Sequence, residues 1–121
     1  MSIRTDRTEL LTDRVRAALA TEPSLREVRM FGGLSFMVNE QIVVAVRGDG
    51  GLLVRIDPDR NGELMARPGA GPAEMGRGRT MGPGWIAVDH DTVADEAQLS
   101  FWVSAARARN RDRSGRTEER A

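Results

Sequence analysis

Residues 48–51 read Gly-Asp-Gly-Gly between two apolar runs, and they constrain the fold more than any other feature of the chain. Asp-Gly and Gly-Gly tolerate the positive φ angles that tight hairpin turns require. The flanking runs, residues 41–47 and 52–57, are rich in β-branched and aliphatic side chains, which favour strands. The pattern therefore predicts a β-hairpin that turns on Asp-Gly and places Val46 opposite Leu53.

Both faces of this hairpin are apolar. In the predicted register, Val44 and Val46 share one face, while Val43, Ala45 and Val54 share the other. An antiparallel sheet can leave its second face in water. Because both faces are apolar here, we expect both of them to be covered. Helices can cover one face. The other needs either a second copy of the chain or the chain's own loops, and the sequence leaves both alternatives open.

A third strand, over residues 27–38, is predicted before the hairpin and contains the pair Gly32-Gly33. A phosphate-binding loop needs its glycines to open a helix, whereas residues 34–38 continue as strand. Glycine inside a strand marks a bulge, a sharp bend or the close approach of another backbone. The pair is therefore predicted to shape the sheet and not to hold phosphate.

Helices are predicted at both ends of the chain. Asp6 and Glu9 resemble a capping box before an apolar face formed by Leu11, Val15, Ala18 and Leu19. Thr92 and Asp95 are expected at the start of a well-buried last helix. Between the hairpin and the last helix we expect a short helix over residues 59–66 and a Gly- and Pro-rich loop over residues 67–84. A brief strand is expected within residues 77–81, and another strand over residues 85–88.

The composition excludes several classes of function. A chain of 121 residues is one domain, and its formal charge of zero argues against a broad polyanion-binding surface. There is no cysteine, and all 18 basic residues are arginine, which removes thiolate and lysine chemistry. No apolar run reaches membrane-span length, and the N-terminus has no apolar core. We therefore expect a cytoplasmic protein with no membrane contact.

The sequence contains few residues that suggest a functional site. Arg77 and Arg79 alternate with glycine in the loop 76–84, which suggests an alternative function as an anion- or nucleotide-binding domain, with or without hydrolytic activity. His90 has no second histidine or cysteine to help it bind metal, and is expected to be an exposed turn residue. The arginine-rich segment 109–121 is predicted to be a disordered polar tail, with weak DNA binding as a further alternative. No catalytic constellation is visible, so no enzyme activity and no cofactor are expected.

The order of the glycine motifs resembles one known family. Met30-Phe31-Gly32-Gly33, followed by Gly78-Arg79-Thr80-Met81 and Gly84-Trp85, looks like the N-terminal domain of the TfoX/Sxy family of competence regulators. The resemblance spans roughly residues 5–108, within a single domain over residues 1–108. It implies an α+β fold with an antiparallel sheet in the order α-β-β-β-α-β-β-α, similar to the secretion-chaperone-like folds.

The resemblance also implies a function. A regulatory, protein-binding module connected with transcription of competence genes is expected, with a homodimer as one form of partner and no direct binding of nucleic acid. No catalytic, cofactor or metal residue is carried over, and the motif residues are expected to be mainly structural. The family's full-length regulators resemble two-domain proteins, and this chain corresponds to the N-terminal domain alone.

Overall fold

The computed structural model describes residues 3–30, 33–74 and 78–120, with side chains described between residues 8 and 111 of these ranges. The helices are α1 (Ile3–Ala18), α2 (Asn61–Met65), α3 (His90–Val93) and α4 (Glu96–Arg120), with a 3-10 helix at Pro58–Arg60. The strands are β1 (Leu25–Met30), β2 (Gly33–Val38), β3 (Gln41–Arg47), β4 (Leu52–Arg55), β5 (Ala70–Pro72) and β6 (Trp85–Val88). They form one six-stranded antiparallel sheet in the order β1-β2-β3-β4-β6-β5. The predicted α+β class is confirmed.

The segment predicted as one strand over residues 27–38 is two strands. β1 and β2 pair antiparallel with Met30 opposite Gly33, so the sheet contains one strand more than the predicted meander. Phe31 and Gly32 lie outside the described residues. At Gly33 the backbone of β3 passes so close that a Cβ would overlap the carbonyl oxygen of Val46. This glycine therefore shapes the sheet by admitting a neighbouring backbone.

The hairpin of β3 and β4 differs from its predicted register by one residue. Val46 lies opposite Leu52, so the predicted pairing with Leu53 is wrong. The N–H of Arg47 donates to the carbonyl oxygen of Gly51 at 2.9 Å, which encloses residues 48–50 in the turn, and Gly50 has a φ of 88°. Because side chains alternate along a strand, this shift exchanges the predicted faces of β4.

One face of the sheet packs against α1 and α4, and we call it the helix face. Its buried strand residues are Phe36, Val44, Val46, Leu52, Val54, Ile86 and Val88. Leu11, Val15 and Leu19 from the N-terminal helical region and Trp102 from α4 fill the space above them, and Trp102 is completely buried. Burying an aliphatic or aromatic side chain of this size stabilises a fold by about 1.5–3 kcal/mol. The main core therefore lies on this face.

The helix boundaries depart from the predicted ones. α1 begins at Ile3, so Asp6 lies within the helix and not at its cap. Thr92 belongs to the short helix α3, whose cap is Asp89. Asp95 immediately precedes α4, and its carboxylate accepts a hydrogen bond from the N–H of Gln98 at 3.0 Å, in agreement with the predicted start.

The last helix and the long loop also differ from the predicted elements. α4 continues to Arg120, past the predicted domain end at residue 108. Asn110 is 5% exposed and donates from its side-chain amide to the carbonyl oxygen of Val38 at 3.0 Å, so it belongs to the folded domain. In the long loop, the extra strand is β5, whereas the strand predicted within residues 77–81 is a single bridge between Thr80 and Glu74.

We expect Gly33→Ala to lower the free energy of unfolding by about 1–3 kcal/mol, because the added methyl group meets the backbone of β3. Gly71→Ala is the matched control, since Gly71 is also in a strand and a Cβ there meets no atom within 4 Å. It is expected to change stability by less than about 0.5 kcal/mol. Urea unfolding measures both values, and equal effects at the two positions would contradict the close approach.

Candidate functional site

The face of the sheet that points away from the helices, here called the second face, carries a separate apolar cluster. Its buried members are Ala45, Leu53, Ala73 and Trp85, and its half-buried members are Ile42, Met81 and Ala87. Ala73 and Met81 belong to the long loop, whereas the others come from strands. The chain's own loop therefore covers this part of the second face, which was one of the two predicted alternatives.

The covering residues belong to what we call the 73–81 segment, of which residues 73, 74 and 78–81 are described. The N–H of Met81 donates to the carbonyl oxygen of Ala73 at 2.8 Å, and Glu74 forms a bridge with Thr80. The two arms of the segment are thus bonded to each other, and their apolar side chains face the sheet. This pairing explains why a Gly- and Pro-rich sequence can act as a layer of the fold.

Ser35 is a buried polar residue next to this cluster. It is on the second face of β2, opposite Val28 and Ala45, and it is completely buried. Among the residues that the structure describes, its Oγ has no hydrogen-bond partner. A buried hydroxyl without a partner costs free energy, so the small volume of serine, and not its polarity, suits this position.

Three of the family-motif residues, Met30, Met81 and Trp85, lie on the second face, and a fourth, Gly84, is bonded to the end of β4. Met30, at the end of β1, and Met81 are half-buried, and Trp85 is 7% exposed with the guanidinium of Arg55 4.9 Å from its ring centroid. The carbonyl oxygen of Gly84 accepts the N–H of Ile56 at 2.8 Å, which joins the loop to the end of β4. These four motif residues therefore form part of the second face or connect the long loop to it.

Of the two proposed anion-binding residues, the structure describes Arg79. Arg77 lies outside the described residues, and Arg79 is exposed. Gly78 has a φ of 69°, which is a turn conformation that glycine favours. Arg79 lines none of the three cavities described below, of about 590, 440 and 360 Å³.

The largest of these cavities is an open groove between α1 and the β1–β2 hairpin, and the sequence does not predict it. Arg16 crosses the groove and binds Glu27 through two hydrogen bonds of 2.7 and 2.8 Å. The same guanidinium contacts Asp13 at 3.0 Å and lowers the pKa of Glu27 below its usual range. Arg29 also lines the groove, is exposed, and has no ion pair among the residues described.

Two smaller cavities lie near the ends of the strands. The 440 Å³ cavity lies beside β5 and includes Asp49, Asp89 and His90. The 360 Å³ cavity is lined by Arg55 and Trp85 together with Arg109 from α4. Arg47 also lines the first cavity and Glu40 also lines the second, so the lining of each contains both acidic and basic groups.

Residues with catalytic or metal-binding chemistry are scattered. His90 begins α3, and its Nδ1 lies 2.9 Å from the exposed carboxylate of Asp91. Ser100 and Ser104 are exposed on α4, whereas Ser35 is buried in the sheet. Within the ranges that the structure covers, no three histidine or carboxylate side chains converge as a metal site.

Comparison with known proteins adds one match. The model of the TfoX N-terminal domain family matches residues 17–109, which is most of the chain. The search of curated proteins finds no match. In the described part of the chain, no helix has both the length and the apolar character needed to cross a bilayer.

We expect Ser35→Ala to leave the free energy of unfolding unchanged or to raise it by up to about 1 kcal/mol, because it removes an unpartnered buried hydroxyl. Ser35→Thr keeps the hydroxyl and adds a methyl group to a closed position, so it is expected to lower stability by about 1–3 kcal/mol. Chemical denaturation distinguishes the two. A clear loss of stability in Ser35→Ala would show that the hydroxyl has a partner.

The cap of α3 gives a prediction that depends on pH. The hydroxyl and the N–H of Thr92 bind the Asp89 carboxylate and lower its pKa, so its stabilising effect is present above the ordinary carboxyl pKa and is lost as the pH falls. Asp89→Ala should therefore cost about 1 kcal/mol at neutral pH and progressively less below about pH 4. Asp91→Ala, at an exposed carboxylate in the same helix, is the control. An equal loss in both variants, or one independent of pH, would contradict the cap.

Proposed function

Because the chain belongs to the TfoX N-terminal domain family, we propose that it is a small regulatory module of the competence-regulator type that acts through protein contacts. The family match over residues 17–109 is the observation that carries the proposal. The proposal includes a homodimer, a cytoplasmic location, no catalytic activity and no direct contact with nucleic acid. Its target is a component of transcriptional control.

The groove between α1 and the β1–β2 hairpin supports a protein partner. Its lining alternates acidic groups, Glu9, Asp13 and Glu27, with the basic groups of Arg16 and Arg29. Mixed charge of this kind favours a protein surface with complementary charges over a uniform polyanion. The formal charge of zero for the whole chain points in the same direction.

The positions of the candidate catalytic side chains support a role without catalysis. A serine nucleophile needs a base within hydrogen-bond reach. Ser100 and Ser104 project from α4 into solvent, while the described contact of the His90 ring is with the neighbouring Asp91. These positions are those of surface residues.

Removal of the gene from its host tests the proposal. We expect altered transcript levels for a defined group of genes, and restoration of those levels by the wild-type chain. Gly33→Ala, the destabilised variant, is expected to restore them less well than Gly71→Ala, its control at an open position. RNA sequencing measures the effect, and an unchanged transcript profile after removal would contradict a regulatory role.

A thermal-shift screen with nucleotides, phosphorylated metabolites and divalent metals tests the rival function. We expect no stabilisation that depends on Arg79. Arg60→Ala is the control for Arg79→Ala. Arg60 is a half-exposed surface arginine at the end of the 3-10 helix, where it pairs with Glu63 at 2.9 Å, and Arg79 is an exposed arginine of the long loop. A stabilising ligand whose effect is lost in Arg79→Ala and kept in Arg60→Ala would favour the anion-binding function instead.

A further inference from the structure

The two edges of the sheet differ in their ability to pair with another strand. β5 has 3 residues and ends at Pro72, which has no N–H to donate. β1 has 6 residues, none of them proline or glycine, and in the described part of the chain it pairs with β2 alone. Short length, proline and charged side chains protect an edge strand. β5 is short and ends in proline, whereas the only one of these protections in β1 is its charged side chains.

The helices leave the β1 edge accessible. α1 packs against β3 and α4, and the long side chains of Arg16 and Glu27 connect it to β1. The open groove of about 590 Å³ occupies the space above β1 and β2. In the described part of the chain, the space above β1 is therefore open to a strand added beside it.

The alternation of β1 decides which side chains would meet across such a pair. Leu25, Glu27 and Arg29 lie on the helix face, since their partners in β2 include Phe36 of the main core, and Arg26, Val28 and Met30 lie on the second face. When two copies form one continuous antiparallel sheet, opposite residues must share a face. The twofold axis must then pass through one residue of β1, so that this residue lies opposite its own copy in the partner.

We propose that β1 pairs antiparallel with β1 of a second copy of this chain, with the twofold axis at Val28. In this register, Glu27 of each copy lies opposite Arg29 of the other, and Val28 lies opposite Val28. Registers centred on Arg26, Glu27 or Arg29 instead place two identical charges opposite each other, which is destabilising. Among the registers centred on residues 26–29, charge complementarity therefore selects the one centred on Val28.

The charges needed for this register are available. Glu27 is held ionised by Arg16, and the exposed Arg29 has no ion pair within the described part of the chain. Arg26 lies on the other face of β1, where it pairs with Glu40 at 2.7 Å. In the dimer, the two grooves lie on the same side of a continuous sheet. This inference deepens the proposed function, because it rests on the self-association included there and assigns it a surface.

The test uses charge reversals on either side of the proposed contact. Arg29→Glu and Glu27→Arg each place like charges opposite each other in a homodimer, and each is expected to weaken dimerisation at least about tenfold. Mixed in equal amounts, the two variants restore both opposite-charge pairs, so a heterodimer of nearly wild-type affinity is expected. Analytical ultracentrifugation gives the affinities, and native mass spectrometry identifies the heterodimer.

Arg26→Glu is the matched control, because it makes the same change of charge at a β1 position that lies opposite Met30 in this register. It is expected to leave dimerisation within about threefold of wild type. Circular dichroism verifies that each variant is folded. If Glu27→Arg unfolds because it loses the contact with Arg16, the result for Arg29→Glu alone still decides the test.

Three results would overturn the proposal. They are a wild-type chain that stays monomeric from micromolar to millimolar concentration, a dimer unaffected by Arg29→Glu, and a mixture that forms no heterodimer. A dimer unaffected by Arg29→Glu would place the contact on another surface. A monomeric chain whose removal still alters transcripts would contradict the homodimer and leave the regulatory role intact. A charge-sensitive dimer whose removal changes no transcript would support the β1 contact and contradict the regulatory role.

Discussion

The structure depends on one constraint: a six-stranded sheet with two apolar faces has to be covered on both sides by a single short chain. The helix face receives α1 and α4, with Trp102 completely buried between helix and sheet. The second face receives the thinner 73–81 segment. The small side chains of Ala45 and Ala73 meet there, so a hydrogen-bonded loop can lie close to the sheet where no helix is available.

The sequence predicts the elements of the fold better than their pairing. The β-branched run and the glycine-rich turn of the central hairpin are local signals, so its existence is predictable. Its register is not, because turns of two and of three residues both place a glycine at positive φ, as Gly50 does here. The break between β1 and β2 has the apolar neighbours Met30 and Phe31, so the pattern resembles one continuous strand.

The candidate sites were harder to predict, because their geometry depends on packing between elements. Arg16 and Glu27 lie on different elements, and their contact follows from the position of α1 above the sheet, which no local pattern encodes. The layer on the second face comes from a segment without periodicity, so the sequence could not choose between this loop and a second copy. Arg79 has the spacing of an anion-binding arginine and is exposed, while Arg77 lies outside the described residues.

The two tryptophans of the chain lie in different layers of the domain. Trp102 is under the helices, and Trp85 is on the opposite face of the sheet, next to the Arg55 guanidinium. Each apolar layer therefore contains its own intrinsic fluorophore. With Trp102 replaced, the emission of Trp85 follows hydration of the loop layer alone, and with Trp85 replaced, the emission of Trp102 follows the helix layer. The order in which the two layers loosen on heating or in denaturant can thus be read without an added label.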